Sequence, residues 1–170
     1  MAPPGTVDLV TVAQAIHWFD LQIFYKQVKL VLKKPNGVIA IWCYDVPRVT
    51  ANVDNVFEEL FKVKLRPYWD SGLEIWEDSY RSLDFPFEAV EATEEGTGVI
   101  EFVTEKEMDL EDYLMYVKSI SAYQTAKEKG AEIPWEEYDE RLKNAWFEDG
   151  CCVKIARYPI LLRIGKVGDA

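Results

Sequence analysis

Val7-Asp8-Leu9-Val10-Thr11-Val12-Ala13 and, after an intervening helical stretch, Val38-Ile39-Ala40-Ile41-Trp42-Cys43-Tyr44 are the two segments whose reading decides the fold. Both are near-continuous apolar runs rich in β-branched residues, the character of strands buried on both faces in a parallel sheet. Pro3-Pro4-Gly5 bounds the first. Between the runs, Phe24, Val28 and Val31/Leu32 recur three or four residues apart through residues 21–33. Asp20 is placed to cap that helix, and Lys34-Pro35-Asn36-Gly37 both stops it and turns the chain. Strand, crossover helix and strand make a βαβ unit, for which a right-handed crossover is expected. The fold class is therefore α/β.

Outward from this unit, Val53, Val56, Phe57, Leu60, Phe61 and Leu65 keep a helical period and predict a helix over 53–65. Residues 66–84 have no clear period but hold Tyr68, Trp69, Trp76 and Tyr80, so aromatic a stretch that it should pack over something. Phe87–Ala92 and Val99–Val103 read as two strands joined by the turn Thr93-Glu94-Glu95-Gly96-Thr97-Gly98. Asp109 is the expected cap of a long helix ending near Gly130, with a buried stripe of Leu110, Tyr113/Leu114, Val117, Ile120 and Ser121/Gln124. Pro134 opens another helix carrying Trp135, Tyr138, Leu142 and Trp146, and Gly150 closes it. The chain finishes with a strand over Cys152–Ile164, in which Pro159 marks a bulge or an edge position.

Composition excludes several classes. At 170 residues, 49% hydrophobic and 29% charged, the chain can bury a core and is not a disordered one. No apolar run reaches the ~18 residues of a membrane span, and MAPPGTVDL lacks the pattern of a secretory signal. Charge is uneven. Residues 1–50 hold five Lys/Arg against three Asp/Glu, residues 51–150 ten against twenty-six, and residues 151–170 four against one. The ends thus read as sheet and the middle as a solvated helical region. A net charge of −11 argues against a nucleic-acid partner, since Lys and Arg must neutralise phosphates. Three cysteines, two of them adjacent, form neither a disulfide framework nor a zinc spacing, and one histidine speaks against a His-based metal site or a Ser/His triad. A reducing, cytoplasmic compartment is expected. Cys151-Cys152 reads as a pair of buried strand residues, Lys33-Lys34 as a helix end complementing the dipole, and Glu136-Glu137 with Asp139-Glu140 as a solvated face.

The strongest constellation is Val12-Ala13-Gln14-Ala15-Ile16-His17-Trp18-Phe19-Asp20, where the first strand ends and the crossover helix begins. Ligands of open α/β sheets bind at that carboxyl edge. A small residue, a Gln and then aromatics would let a ligand approach backbone while a ring covers it. The other reading is that His17, Trp18 and Phe19 simply fill the strand-to-helix corner.

These segments also carry a family resemblance. VDLVTVAQAIHWFD, an amphipathic helix and LKKPNGVIAIWCY resemble the fourth strand, following helix and fifth strand of a class I S-adenosylmethionine-dependent methyltransferase, nearest the trans-aconitate-methyltransferase-like group common in plants and fungi. RPYWDSG, DFPFEAVE, MDLEDYLMYVKSISAYQ and RYPILLRIGKV agree in order, so the resemblance covers essentially the whole chain. It implies a partial Rossmann-like fold, the C-terminal half of the mixed sheet with covering helices, as one partial domain over 1–170. A whole member has a preceding half with a Gly-rich loop and an acidic residue for the ribose; here no G-x-G-x-G run occurs and six residues precede the first strand.

The resemblance implies that Ala13, Gln14, His17 and Trp18 lie at the cofactor S-adenosylmethionine, and that Tyr68, Trp69, Tyr80 and Tyr123 line a small-molecule acceptor pocket. Core and lid packing is the other reading of those four aromatics. No catalytic nucleophile and no metal are implied, because orientation of acceptor and sulfonium methyl supplies much of the rate. The function implied is methyl transfer, with the shortened chain expected to be inactive, binding S-adenosylmethionine weakly or not at all. The alternative is a non-catalytic pseudoenzyme or interaction module. In either case residues 7–13, left without their neighbour strand, are expected to pair with a second copy or with a complementary half.

Overall fold

The computed structural model describes residues 2–70, 72–90 and 96–169. Four strands form one sheet in the order β1-β2-β4-β3, with β1 Leu9–Ala13, β2 Val38–Tyr44, β3 Ile100–Asp109 and β4 Val153–Lys166. The expected βαβ unit is present: β1 and β2 are parallel, Leu9 opposite Val38 and Ala13 opposite Trp42, and α1 (Leu21–Val31) connects them. The Asp20 carboxylate caps α1 by accepting from the Ile23 N–H at 3.1 Å.

The expectation that both strands are buried on both faces does not hold. In β1 only Val12 is buried and Leu9 is 53% exposed. The strand lies at the sheet edge, where no other strand of the described residues pairs with its far side. In β2, Ile39, Ile41 and Cys43 are fully buried and alternate with half-buried neighbours.

The described residues divide into two compact units. The first comprises residues 1–45, 72–103 and 159–170, and its core joins Val12, Ile16, Tyr25, Val28, Ile39, Ile41, Tyr80, Phe85 and Leu161. Each fully buried Ile contributes about 1.5–3 kcal/mol by leaving water. In it β2 pairs antiparallel with β4 from Val38–Lys166 to Tyr44–Ile160. A short helix, α3 (Leu73–Glu77), belongs to the same unit.

The second unit comprises residues 46–71 and 104–158. Its helices are α2 (Ala51–Glu59), α4 (Leu110–Ser119), α5 (Ser121–Glu128) and α6 (Trp135–Trp146). Phe57, Tyr113, Tyr138, Leu142 and Trp146 are each 1% exposed or less. The helix expected over 53–65 starts two residues earlier, capped by Thr50, and passes into a wider π turn over Leu60–Lys64. The single long helix expected from Asp109 to Gly130 is two helices. Ile120 is extended (φ −60°, ψ 132°), and the Ser119 hydroxyl bonds back to the Tyr116 carbonyl, so the ladder stops there although the apolar period continues. Of the expected hairpin, residues 91–95 lie outside the described residues. Glu88 forms only an isolated bridge to Lys166, and the second strand is β3, longer than expected.

Pro159 does not mark an edge, since β4 lies between β2 and β3. The bulge reading fits better. Asp45 N–H donates to the Pro159 carbonyl, whereas Arg48 pairs with Arg157, so Val46 and Pro47 stand opposite the single residue Tyr158. Cys151 and Cys152 precede β4 and are exposed, correcting the expectation of buried strand cysteines; Cys43 is the buried thiol. The acids of α6 are not all unpartnered, because Glu137 pairs with Arg141 and Asp139 with Lys143 one turn on.

Candidate functional site

At the carboxyl end of β1, Ala13 is exposed and Gln14 leaves the strand with φ 52°, a left-handed conformation that few non-glycine residues adopt. Its N–H still extends the parallel ladder, donating to the Trp42 carbonyl at 2.8 Å. Its side-chain amide then does what the next peptide group would have done. Oε1 accepts from the Tyr44 N–H at 3.0 Å, and Nε2 donates to the Tyr44 carbonyl at 3.2 Å. The strand therefore turns away without orphaning the end of β2. A 3₁₀ turn over Ile16–Trp18 follows, in which Ile16 is fully buried, His17 half-buried and Trp18 53% exposed. The Trp18 ring lies 4.9 Å from that of His17.

The segment after Gly72 covers this turn. A Cβ at residue 72 would lie 2.7 Å from the His17 carbonyl oxygen, so glycine is required by close approach of backbone to backbone. Trp76 Nε1 donates to the same Tyr44 carbonyl at 3.1 Å, fastening α3 to the end of β2. Helix α3 ends in a Schellman motif. The Tyr80 N–H reaches the Ile75 carbonyl and the Ser79 N–H the Trp76 carbonyl, with Ser79 at φ 61° where glycine is usual, and Tyr80 follows at φ 59°. Two successive left-handed non-glycine residues store strain, a feature that clusters at functional positions. The motif delivers Tyr80, wholly buried, with its hydroxyl 3.0 Å from His17 Nδ1.

Arg163 of β4 completes the arrangement. It is 8% exposed, and its guanidinium donates to the carbonyls of Tyr80, Leu83 and Thr97 while stacking on Phe85. Sequence reasoning did not single it out, although a charged residue inside the apolar run Ile160–Val167 must find partners and was a readable signal. Cys43 and Gly72 were also missed, and neither has a local signature.

The remaining candidates lie in the second unit. Tyr68 and Trp69 follow the π turn, with Trp69 Nε1 donating to the Phe61 carbonyl at 3.5 Å and its ring 4.7 Å from Phe61. Tyr123 of α5 meets Trp135 edge-on at 5.3 Å, and α5 packs on the 3₁₀ turn Arg66–Tyr68. The structure thus gathers Ala13, Gln14, His17, Trp18 and Tyr80 in one unit, and Tyr68, Trp69 and Tyr123 in the other. Tyr80, expected to line the acceptor pocket, is buried with its hydroxyl against His17.

The titrating groups here are held neutral. Burial lowers the His17 pKa, raises that of Tyr80, and pushes the Cys43 thiol up to about 12, so the site holds no thiolate nucleophile. Among the described residues no group of His, Cys, Asp and Glu could hold a metal ion, and no helix is long and apolar enough to cross a membrane.

No family model matches the chain. A candidate methyltransferase of Dictyostelium discoideum is 32% identical over 146 residues, 85% of this chain and 53% of the relative. Among solved structures, a candidate type II methyltransferase from Anaeromyxobacter dehalogenans has a TM-score of 0.76 at 31% identity, over 96% of this chain and 66% of that one. Over the matched residues the chain is similar to these methyltransferases, which supports a class I S-adenosylmethionine-dependent methyltransferase. The four-stranded open sheet with its helices is accordingly part of a Rossmann-like methyltransferase fold, as the α/β reading implied. The chain spans about half the length of the curated relative it matches.

Proposed function

We propose that this chain supplies the acceptor-side portion of a methyltransferase of the trans-aconitate-methyltransferase-like group. In that reading it takes part in methyl transfer from S-adenosylmethionine to a small-molecule acceptor in the cytoplasm, and the 170 residues alone are inactive. The observation that supports this is the rigid corner at the carboxyl end of β1, where the Gln14 amide is locked on Tyr44 and His17 on Tyr80.

The residues present fit the methionine end of the cofactor. Ala13 leaves backbone accessible at the strand end, the depressed pKa keeps His17 from opposing a positive sulfur, and the exposed Trp18 ring offers an aromatic face to a cation. Bound there, the cofactor supplies an activated methyl group. Gln14 holds the strand ends together, and His17 and Trp18 wall the site; in the second unit, Tyr68, Trp69 and Tyr123 keep the acceptor-lining role that the resemblance implies. Tyr80 contributes through His17. A Gly-x-Gly-x-Gly run for the remainder of the cofactor is not among these residues.

Two measurements test the reading. Calorimetry on the 170-residue chain should give no S-adenosylmethionine binding tighter than ~10 μM, about −7 kcal/mol; tighter binding overturns the inactivity. A chimera in which this chain replaces the matching part of the Anaeromyxobacter protein should bind the cofactor and transfer its methyl group. A folded chimera that does neither overturns the function.

A second reading has its own observation. Strand β1 is an edge with Leu9 exposed and no charge between Leu9 and Ala13, the arrangement that templates pairing with another chain. A non-catalytic module pairing through residues 7–13, with a second copy or a complementary half, would use that edge.

A further inference from the structure

The single histidine sits on a buried phenol, and the chemistry of that pair determines which ring nitrogen carries the proton. Tyr80 is 0% exposed, so its O–H must find an acceptor inside the protein. Two atoms are at hand. His17 Nδ1 lies 3.0 Å away, and the Cys43 side chain, also 0% exposed, is close enough to the phenol to raise its pKa. An unprotonated imidazole nitrogen is a good acceptor and a thiol sulfur a weak one. If Nδ1 carried the proton and donated, the phenol proton would be left with the sulfur alone, a weak acceptor in place of a strong one. With Nδ1 accepting, the Cys43 S–H can turn toward the phenol oxygen, and each buried donor has a partner.

Backbone geometry makes this more than a chance contact. The Schellman motif fixes the direction in which the Tyr80 side chain leaves the chain, and Arg163 grips its carbonyl from β4. On the other side, Gly72 lets the covering segment close onto the His17 carbonyl. Phenol and imidazole are each held by constraints independent of the bond between them.

We propose that Tyr80, backed by the Cys43 thiol, is a positioning residue that holds His17 as the neutral tautomer with its proton on Nε2. His17 then offers the site a fixed hydrogen-bond donor and no free base, so its ligand partner is a lone-pair oxygen or nitrogen, not a proton to be removed. The role assigned to that donor rests on the functional reading above. The tautomer itself does not.

Because the chain has one histidine, long-range ¹H–¹⁵N correlation of histidine-labelled protein reads this ring alone. The expected spectrum has a protonated Nε2 and an unprotonated, hydrogen-bonded Nδ1; a proton on Nδ1, or an equal mixture, overturns the proposal. Tyr80→Phe should move the Nδ1 resonance toward that of a free imidazole nitrogen, and an unmoved resonance in folded protein also overturns it. Should Tyr80→Phe not fold, Cys43→Ser, which keeps a donor toward the phenol, should retain the Nε2 tautomer, and a switch to Nδ1 overturns it. A chimera without methyl transfer would remove the functional reading, while the ring spectrum would still decide the tautomer independently.

Discussion

Arg163 Nη1 donates to the Tyr80 carbonyl at 3.0 Å, joining β4 to the segment that covers His17. Replacing Arg163 by Met keeps the aliphatic stem but leaves the Tyr80, Leu83 and Thr97 carbonyls without their donor. Hydrogen bonds to a charged group contribute ~1.5–3 kcal/mol, so a loss of about 3 kcal/mol in urea unfolding is expected. Arg163→Lys should recover little, because one ammonium cannot reproduce the fork. A cost below ~1 kcal/mol for the Met variant would show that these bonds are replaced by water.

Ser79 occupies the left-handed C′ position of α3 at φ 61°. A left-handed conformation costs an L-residue roughly 1–2 kcal/mol, partly offset by the extra freedom of glycine in the unfolded chain. Ser79→Gly is therefore expected to stabilise the protein by about 0.5–1 kcal/mol, with the His17 ring signal unchanged. A destabilised variant would mean that the serine side chain matters more than its backbone.

Gly72 is at φ −72°, an ordinary conformation, so its requirement is space alone. Gly72→Ala sets a methyl 2.7 Å from the His17 carbonyl, which as backbone cannot swing aside. Overpacking of this kind costs about 1–3 kcal/mol, and the His17 ring resonances should shift with it. Unchanged stability and spectrum would place the covering segment farther from His17 than described.

In the second unit, Glu59 accepts from Arg141 Nη2 at 2.6 Å and from the Tyr138 hydroxyl at 2.7 Å, which lowers its pKa to about 2. A carboxylate pKa depressed below its unfolded value gives stability that is present above about 4.5 and lost as pH falls toward about 2. Glu59→Gln should therefore unfold at lower urea than the parent at pH 7, and the gap should narrow steadily as pH is lowered to 3. A gap independent of pH would assign the effect to packing instead of charge.

The open side of β1 predicts self-association. Sedimentation at low micromolar concentration should show dimers or larger species, and Val10→Lys should suppress them by placing a charge in the edge strand. A monomeric parent with cooperative unfolding would show that the edge is covered.

Much of the first unit was legible from local pattern. The apolar runs of β1 and β2, the period of α1, the Asp20 cap and the Lys34–Gly37 turn each carry their own signal. What escaped has none. Thr104–Asp109 continues β3 as Thr-Glu-Lys-Glu-Met-Asp, nearly all exposed, so no apolar alternation announces a strand. The break at Ile120 lies inside an unbroken apolar stripe. At the site, Gln14 and His17 were legible as types of residue at a strand end, but their partners were not: Tyr44 is 30 residues from Gln14, and Tyr80 is 63 from His17. The sequence shows an amide and an imidazole, and only the fold shows that the amide is spent on backbone and the imidazole on a phenol.

The place of Arg163 in the chain has a consequence for biosynthesis. A ribosome releases β1, α1 and β2 before the segment carrying Tyr80. The guanidinium that grips that segment emerges 83 residues after Tyr80, on the strand that covers the far edge of β2. Until then β2 has open main-chain groups along its β4 side, and three carbonyls near the site have no donor. Over that interval β2 has an unpaired edge of the kind that makes folding intermediates prone to associate, and emergence of β4 is expected to close it.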